Sequence, residues 1–466
     1  MMDGYRVEAI RAAEARAFAD IDPFVLMQRA AAGLATAILR RLERPYGSRV
    51  LLVVGSGNNG GDALFAGVRL AARGVQVSCW RVAESVHPAG WAALQDVGGR
   101  EVDAIAALSL LTRVDAVVDG VAGIGSRPGL SQPVALFAQA CADLEVPVVA
   151  VDLPSGLAPE PPFGEAPHFE AELTVTFGGY KLCHLLEPAR SACGDIELVD
   201  IGLTLSDPEV HRWTPAEVAA AWPVPDASSD KYARGVVGLD TGSAEYPGAA
   251  VLGAAGAIYA GAGMVRYLGP PQVRPRVLDA FANVVGASGR VQALVIGSGW
   301  GDRKDGGVLA RAMRTGVPMV IDADGLRHLP LPGRPNVVLT PHAGELAFLL
   351  GLERAEVAAD PLTAVHSAAE RTGCTVLLKG ATQYVATPGL ATVEVAVPGP
   401  AWTAQAGSGD VLAGIIGTLL AAELAPATAA VVGASVQAMV AAANPGPLPP
   451  QDLVRRLPAW IAEAGA

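Results

Sequence analysis

The sequence predicts two α/β domains in series, each a parallel sheet covered on both faces by helices. Three observations predict it. Short continuous apolar runs such as Val50–Val54 (VLLVV) alternate with segments of helical spacing, the pattern of strands buried on both faces. The alternation is interrupted once, near Trp213, where WTPAEVAAAWPVPDASSDKYARG brings three Pro and a Ser-rich patch. The length, 466 residues, is long for one core and comfortable for two. The boundary is placed near 213–225, giving domains 1–213 and 214–466.

Taken in order, residues 4–44 read as helix, with Val7, Ile10, Phe18, Leu26, Met27, Leu34 and Ile38 at mostly helical spacing. Strand Val50–Val54, helix Ala63–Arg73 and strand Val75–Val82 follow. Ala116–Asp119 is a strand, Gln132–Asp143 a helix and Val146–Asp152 a strand; Leu173–Phe177 and Ile196–Ile201 close the first series. The second series has strands at Val236–Asp240, Ala293–Gly297, Val317–Asp322, Asn336–Thr340 and Thr375–Lys379. Its helices are Gly248–Gly261, Leu362–Thr372, Asp410–Glu423 and Ala427–Ala443. Leu424–Ala443 has no charged residue, but it is mostly Ala with small polar residues and an internal Pro426. It reads as a buried helix rather than a membrane span.

Composition narrows the function. The net charge is −12 with no basic stripe, which argues against nucleic-acid binding. Five scattered Cys without a CxxC argue against a disulfide framework or a zinc site and for a reducing, cytoplasmic setting. The charged start MMDGYRVEAIRAAEARAF has no apolar core of a signal peptide. Only four basic residues are Lys: Lys181, Lys231, Lys304 and Lys379. No GxxxxGK[ST], GxSxG or HExxH occurs, which removes P-loop NTPases, α/β-hydrolases and zincins in their usual forms.

Polar loops at strand ends carry the chemistry, because ligands of open parallel sheets bind there. After Val50–Val54 comes GSGNNGGD. Gly55, Gly57 and Gly60 satisfy GxGxxG, yet the next strand ends at Cys79-Trp80-Arg81 without the carboxylate a dinucleotide fingerprint wants. Asn58, Asn59 and Asp62 could instead bind a cation or a ribose. VVDGVAGIGSRPG supplies Asp119, and AVDLPSG supplies Asp152, a proton-transfer candidate, and Ser155. A structural turn or a helix cap is the alternative reading for each loop alone. In the second half, AGSGD opens a helix with Asp410 in its first turn. The N–H groups of Gly407, Ser408 and Gly409 would form an anion hole beside a carboxylate able to deprotonate a hydroxyl. IDADGL suits Mg²⁺ or polar ligand groups. TPHAGE places His342 and Glu345 at a strand end, and LLKGATQ offers Lys379 and backbone amides to a nucleotide phosphate.

In this order the loops resemble one family, the bifunctional NAD(P)H-hydrate repair enzymes, which fuse an NAD(P)H-hydrate epimerase to an ADP- or ATP-dependent (S)-NAD(P)H-hydrate dehydratase. The matching pieces are LMQRAAAG, GNNGGD, VDGVAGIG and VDLPSG, then GSAEYPGAA, GAGMV, DADGL, LTPHAGE, LLKGAT and AGSGD, spanning nearly the whole chain. The resemblance implies a Rossmann-like N-terminal domain and a ribokinase-like C-terminal one. It implies that Asn58, Asn59, Gly60, Gly61 and Asp62 line the hydrated-dinucleotide pocket with Gly123, Ile124, Gly125, Ser126, Arg127, Pro128 and Gly129. Asn59, Asp119 and Ser155 match the family's potassium ligands, and Asp152 the epimerisation acid/base. Ala249 (or its neighbour Ala250), Gly299, His342 and Asp410 match the dehydratase substrate site. Lys379, Gly380, Ala381, Thr382, Gln383 and Gly409 match the nucleotide site. It further implies K⁺, Mg²⁺, ADP or ATP as co-substrate, and a homo-oligomer bound to neither membrane nor nucleic acid. The chain departs from the family pattern at Ala63 (usually Gly), after PSG (no Asp-Thr-Gly), and at GGYKLCH, where Lys181 still aligns. GSGWG and AGSGD also replace the usual Gly-Pro-Gly and Gly-Gly-Thr-Gly-Asp. Two other readings compete: a ribokinase-like kinase of a vitamin precursor, and a non-catalytic dinucleotide-binding or scaffolding role for the N-terminal half.

Overall fold

A computed structural model describes residues 2–302 and 306–464; Lys304 lies outside them. The chain forms two units, one of residues 3–209 and one of the residues from Val210 onward together with the first two.

The first unit carries β1 (Met2–Tyr5), β2 (Arg49–Val54), β3 (Gln76–Arg81), β4 (Arg100–Val102), β5 (Ala116–Gly120), β6 (Val148–Val151), β7 (Leu173–Phe177), β8 (Tyr180–Lys181) and β9 (Asp195–Val199). Seven of these make a parallel sheet in the order β4-β3-β2-β5-β6-β7-β9, and β1 pairs with β8 through Tyr5 and Lys181. The order reverses between β2 and β5, as in Rossmann-like sheets, and opens a crevice at their carboxyl ends. The central strands are buried on both faces. Leu52, Val54 and Val118 pack under one helix layer, and Leu51, Val53 and Val117 under the other.

Two expectations need correction. The single helix over 4–44 is two, Val7–Ala17 and Pro23–Arg41, preceded by β1. Asp22 accepts from Phe24 N–H at 2.8 Å and Pro23 takes the first helical position, so Asp-Pro starts a new helix where hydrophobic spacing alone sees continuity. The helix after β2 begins at Asn58 rather than Ala63. The polar loop is therefore that helix's first turn, with Gly57 as an N-cap that supplies no side chain.

The second unit carries β10 (Val210–Arg212), β11 (Val236–Asp240), β12 (Met264–Tyr267), β13 (Ala293–Ile296), β14 (Met319–Ile321), β15 (Val337–Leu339), β16 (Thr375–Leu378), β17 (Tyr384–Ala386) and β18 (Val393–Val395). They follow the order β12-β11-β13-β14-β15-β16-β17-β18-β10. The sheet is parallel from β12 to β16. It then turns antiparallel through β17 and β18, a departure from the all-parallel expectation, because the short KGATQ connection after β16 allows only a hairpin. Helices Pro247–Tyr259, Ser408–Ala421 and Pro426–Ala443 build the core with Val237, Val295 and Val320. Pro426–Ala443 is long and apolar enough to cross a membrane by length and composition, and 61% of it is buried within the protein.

Candidate active sites

In the first unit, the carboxyl ends of β2, β5 and β6 open into a cavity of about 620 Å³. Asn58, Asn59, Asp62, Gly123, Ile124, Gly125, Ser126, Asp152 and Lys181 line it, joined by Arg11, Glu14, Phe18, Phe24, Met27 and His87. Asp152 follows β6 directly and is buried. Its Oδ1 accepts from Lys181 Nζ at 2.5 Å and from Thr176 Oγ1 at 3.0 Å. Lys181 Nζ also donates to Thr176 Oγ1 (2.9 Å) and Phe177 O (3.2 Å), so all three ammonium donors are engaged. The lysine cannot swing, and it fixes one carboxylate oxygen. The other oxygen has no hydrogen bond among the described residues. Burial, then the carboxylates of Asp152 and Glu14, hold Asp62 well above the ordinary carboxyl range. Burial likewise raises Glu14, against the pull of Lys181. The cavity thus gathers three carboxyl groups around one ammonium.

Beside it, Asp119 is fully buried, and burial pushes its carboxyl up to about 6 against hydrogen bonds from Ser155 and Val121. Its Oδ2 accepts from Ser155 N–H at 2.7 Å and its Oδ1 from Val121 N–H at 3.3 Å; no cationic side chain is among its partners. Ser155 Oγ donates to Ala122 O (3.1 Å) and accepts from Ala122 N–H (2.8 Å). Asn59 Nδ2 donates to Val151 O (2.6 Å) and Ala122 O (3.3 Å). That aims its Oδ1 at Gly123, where an added Cβ would lie 2.4 Å away. A buried, uncompensated carboxylate among neutral oxygens has the chemistry of a hard monovalent cation site. Ala63 is accommodated because Gly120 opposite has no Cβ; one there would lie 2.7 Å from the Ala63 methyl.

In the second unit, a cavity of about 670 Å³ is lined by Glu245, Tyr246, Ala249, Gly299, Gly301, Asp324, Arg327, His328, Gly407 and Asp410. Asp410 stands in the first turn of helix Ser408–Ala421, which no side chain caps. Ser408 N–H is spent on Gln405 O at 3.2 Å. This removes one member, Ser408, from the expected anion hole; the N–H groups of Gly407 and Gly409, and also of Asp410, have no hydrogen bond among the described residues, since N-terminal helical N–H groups lack intrahelical acceptors. Burial, then the nearby Asp322 carboxylate, pushes the Asp410 carboxyl up to about 7, against Lys379.

Asp322 is not free for Mg²⁺. Its Oδ1 accepts from Lys379 Nζ (2.8 Å) and Thr340 Oγ1 (2.7 Å), and its Oδ2 from Ser298 Oγ (2.9 Å). Burial raises its carboxyl, and Lys379 with these hydroxyls more than reverses that, leaving it below the usual range. Lys379 is thereby anchored close to Gly409, whose added Cβ would lie 3.3 Å from Nζ. Burial lowers the ammonium and Asp322, Glu345 and Asp410 raise it further, so the net shift is upward. Asp324 accepts from Gly301 N–H at 2.8 Å and lines the cavity.

Of the residues expected from sequence, the first cavity's lining includes Asn58, Asn59, Asp62, Gly123 through Ser126 and Asp152, and the second's includes Ala249, Gly299 and Asp410. Gly60 and Gly61 are buried in the helix's first turn rather than lining the cavity, and Arg127, Pro128 and Gly129 are not in its wall. His342 is outside the second wall. It caps helix Ala343–Leu350, its Nδ1 accepting from Gly344 N–H (3.0 Å) and Glu345 N–H (3.2 Å). Gly380, Ala381, Thr382 and Gln383 form the turn from β16 to β17, next to Lys379. Sequence reasoning gave no role to Lys181, Thr176, His184, Glu14 or Arg11. The scarcity of lysine in an Arg-rich chain was the available signal, since Lys181 and Lys379 each anchor a buried aspartate.

A family described as YjeF-related protein N-terminus matches residues 23–183, and NAD(P)H-hydrate dehydratase matches residues 237–458. The bifunctional NAD(P)H-hydrate repair enzyme of Mycobacterium leprae is 44% identical over 466 residues, covering 95% of each chain. That of Mycobacterium tuberculosis is 43% identical over 443 residues, covering 91% of this chain and 90% of its own. Among solved structures, an ADP/ATP-dependent NAD(P)H-hydrate dehydratase from Bacillus subtilis, co-crystallised with ATP and Mg²⁺, matches with a TM-score of 0.51 and 24% identity. The match covers 55% of this chain and 99% of that one. A ribokinase-like protein from Enterococcus faecalis matches with a TM-score of 0.50 and 18% identity, over 56% of this chain and 98% of its own. At these identities the likeness shows the fold, which is ribokinase-like over just over half of the chain. Two pockets on two α/β units, and similarity that runs the length of both, lead to one conclusion: this chain belongs to the family of bifunctional NAD(P)H-hydrate repair enzymes.

Proposed function

We propose that the protein repairs hydrated nicotinamide cofactors with two separate sites, epimerising R- and S-NAD(P)H hydrate in domain 1–213 and dehydrating the S form in domain 214–466 at the expense of ADP or ATP. At the first site, Asp152 exchanges a proton with the hydroxyl on the hydrated ring carbon. The hydroxyl leaves as water, the ring nitrogen lone pair sustains the planar cation, and water returning to the opposite face gives the other epimer. Lys181 and Thr176 hold one carboxylate oxygen and leave the other to the substrate. Asn58, Asn59, Asp62 and Gly123 to Ser126, which line the cavity, bind the dinucleotide. Asn59, Asp119 and Ser155 would hold K⁺, which supplies positive charge to the buried Asp119 carboxylate and fixes the three loops.

At the second site, Asp410 removes the proton from the S-epimer hydroxyl, and the oxygen attacks the terminal phosphoryl group of ADP or ATP, displacing AMP or ADP. A carboxyl near 7 suits this role, since a general base works best with a pKa close to the working pH. The Gly409 and Asp410 N–H groups and Lys379 face the transferring phosphoryl group. Inorganic phosphate then leaves from carbon in place of hydroxide, a poor leaving group, and loss of a proton from the adjacent ring carbon restores the reduced cofactor. Ala249 and Gly299 hold the hydrate, and Lys379 with Gly380 to Gln383 the nucleotide. Mg²⁺, to which Asp324 among the cavity carboxylates would offer an oxygen, would neutralise phosphate charge. Five buried free thiols support action in the reducing cytoplasm.

The observation that carries this reading is Asp410, raised and half-buried at an uncapped helix N-terminus beside Lys379. The test is optical: NADH hydrate, protein, Mg²⁺, K⁺ and ADP or ATP, with recovery of the reduced-nicotinamide absorbance expected. A stable phosphorylated product from a vitamin precursor, without recovery, would replace this reading with the kinase one.

A further inference from the structure

The GGYKLCH segment, where the chain departs from its family pattern, places His184 against the first site. The imidazole is fully buried. Its Nδ1 accepts from the Lys181 backbone N–H at 3.1 Å, and its Nε2 lies 2.9 Å from the Asp152 backbone carbonyl. These partners fix the tautomer. An N–H donor at Nδ1 requires a lone pair there, and a carbonyl at Nε2 requires a proton there. The neighbouring thiols of Cys183 and Cys193 would complete a metal-like trio, but both ring nitrogens are already spent. Burial, then the Lys181 charge, pushes the imidazole down to about 3, so it stays neutral at working pH.

What the imidazole holds is strained. Asp152 has φ 71, in the left-handed region, and Leu153 N–H bonds back to Val151 O at 2.9 Å, closing a three-residue turn around it. Such turns are rare for residues with a Cβ, and this conformation costs on its own. Asp152 N–H is tied to Val175 O at 2.8 Å, and its carbonyl is tied by His184. The same ring grips the backbone of Lys181, the partner of the Asp152 carboxylate.

We propose that His184 is a positioning residue for epimerisation: as the neutral Nε2–H tautomer it bridges the Asp152 carbonyl and the Lys181 N–H, setting the turn that aims the Asp152 carboxylate at the substrate. This rests on the epimerase reading of the first site. Two variants separate its two bonds. In His184→Gln the side-chain amide reaches the Asp152 carbonyl but offers nothing in place of Nδ1. In His184→Asn the amide oxygen can accept from Lys181 N–H but does not reach Asp152.

Epimerisation is followed as the slow, R-derived phase of absorbance recovery, with the S-derived phase from the same chain as internal control. His184→Asn is expected to lower epimerisation kcat about tenfold to a hundredfold with KM nearly unchanged, as a misaimed acid/base does, while His184→Gln stays within about threefold. The S-derived phase is expected to be the same in all three proteins. Equal epimerisation by His184→Asn and the unaltered protein would overturn the proposal, as would a loss that appears only in KM. An unaltered protein that shows no R-derived phase would instead sink the epimerase reading itself. Nitrogen-15 NMR of the unaltered protein gives a check that does not depend on how a variant folds. A protonated Nε2 and bare Nδ1, unchanged from pH 5 to 9, are expected; the opposite tautomer would overturn the proposal.

Discussion

Replacing Asp410 by Asn should abolish dehydration and, at neutral pH, stabilise the protein. The carboxyl ionises at about 7 in the folded chain, against an ordinary value of 3.8 in the unfolded one. Below pH 4 both states hold the proton, and the variant should equal the parent. As pH rises from 4 to 7, the unfolded chain has released its proton while the folded chain still keeps it. The stability that proton gives the native state is lost progressively, reaching a limit above pH 7. Three units at 1.36 kcal/mol each give about 4 kcal/mol as the ceiling; solvent reaching the cavity screens part of it, so about 2–4 kcal/mol is expected. Asn has the same shape without the charge and avoids this cost. For a unit of this size about 2–4 °C in Tm accompanies each kcal/mol, so a rise of at least several degrees should appear at pH 8 and vanish near pH 4. The assay is calorimetric unfolding of both proteins from pH 4 to 8, without nucleotide or Mg²⁺. A Tm difference that does not grow with pH would refute the assignment of Asp410 as a raised, charge-strained carboxyl.

Further outcomes follow from the same geometry. Dehydratase kcat/KM should fall about tenfold per unit as pH drops below 7, since Asp410 must lose its proton to act as base; a pH–rate profile with S-epimer substrate checks this. Lys181→Met leaves the buried Asp152 carboxylate without its cation and should destabilise the first unit by about 3–5 kcal/mol while abolishing epimerisation, measured by denaturant unfolding and R-derived recovery. Gly123→Ala puts a methyl against Asn59 Oδ1 and should raise the K⁺ concentration needed for half-maximal epimerisation, read by K⁺ titration, with the dehydratase unaffected. Lys379→Met frees Asp322 from its cation and should lower the dehydratase rate about a hundredfold or more, read with S-epimer substrate.

The strands were legible because they are buried on both faces, and such strands write themselves as unbroken apolar runs: Val236–Asp240 and Leu173–Phe177 agree residue for residue. Very short elements were not. β1, β8 and the β17–β18 hairpin have two to four residues each, too few for a period to show. The loops that carry Asn59, Asp119, Asp152 and Asp410 stood out as polar breaks at strand ends, which is where a parallel sheet gathers its ligands. What decides how those residues work was hidden, because it depends on contacts distant in sequence. Lys181 lies 29 residues from Asp152. Asp322, in a stretch read as suited to Mg²⁺ or polar ligand groups, accepts hydrogen bonds on both oxygens from Ser298, Thr340 and Lys379 at three other strand ends. His342 looked like a substrate ligand, and its Nδ1 is taken by the helix it caps.

The central claim is that one chain houses two independent proton-transfer sites, one per unit. The most direct measurement follows reduced-nicotinamide absorbance from an equal mixture of R- and S-NADH hydrate, with Mg²⁺, K⁺ and ADP or ATP, for the unaltered protein, Asp152→Asn and Asp410→Asn. The account expects full recovery by the first, recovery of only the S fraction by the second, and none by the third. Full recovery by Asp152→Asn at the parent rate, or any sustained recovery by Asp410→Asn, would contradict it.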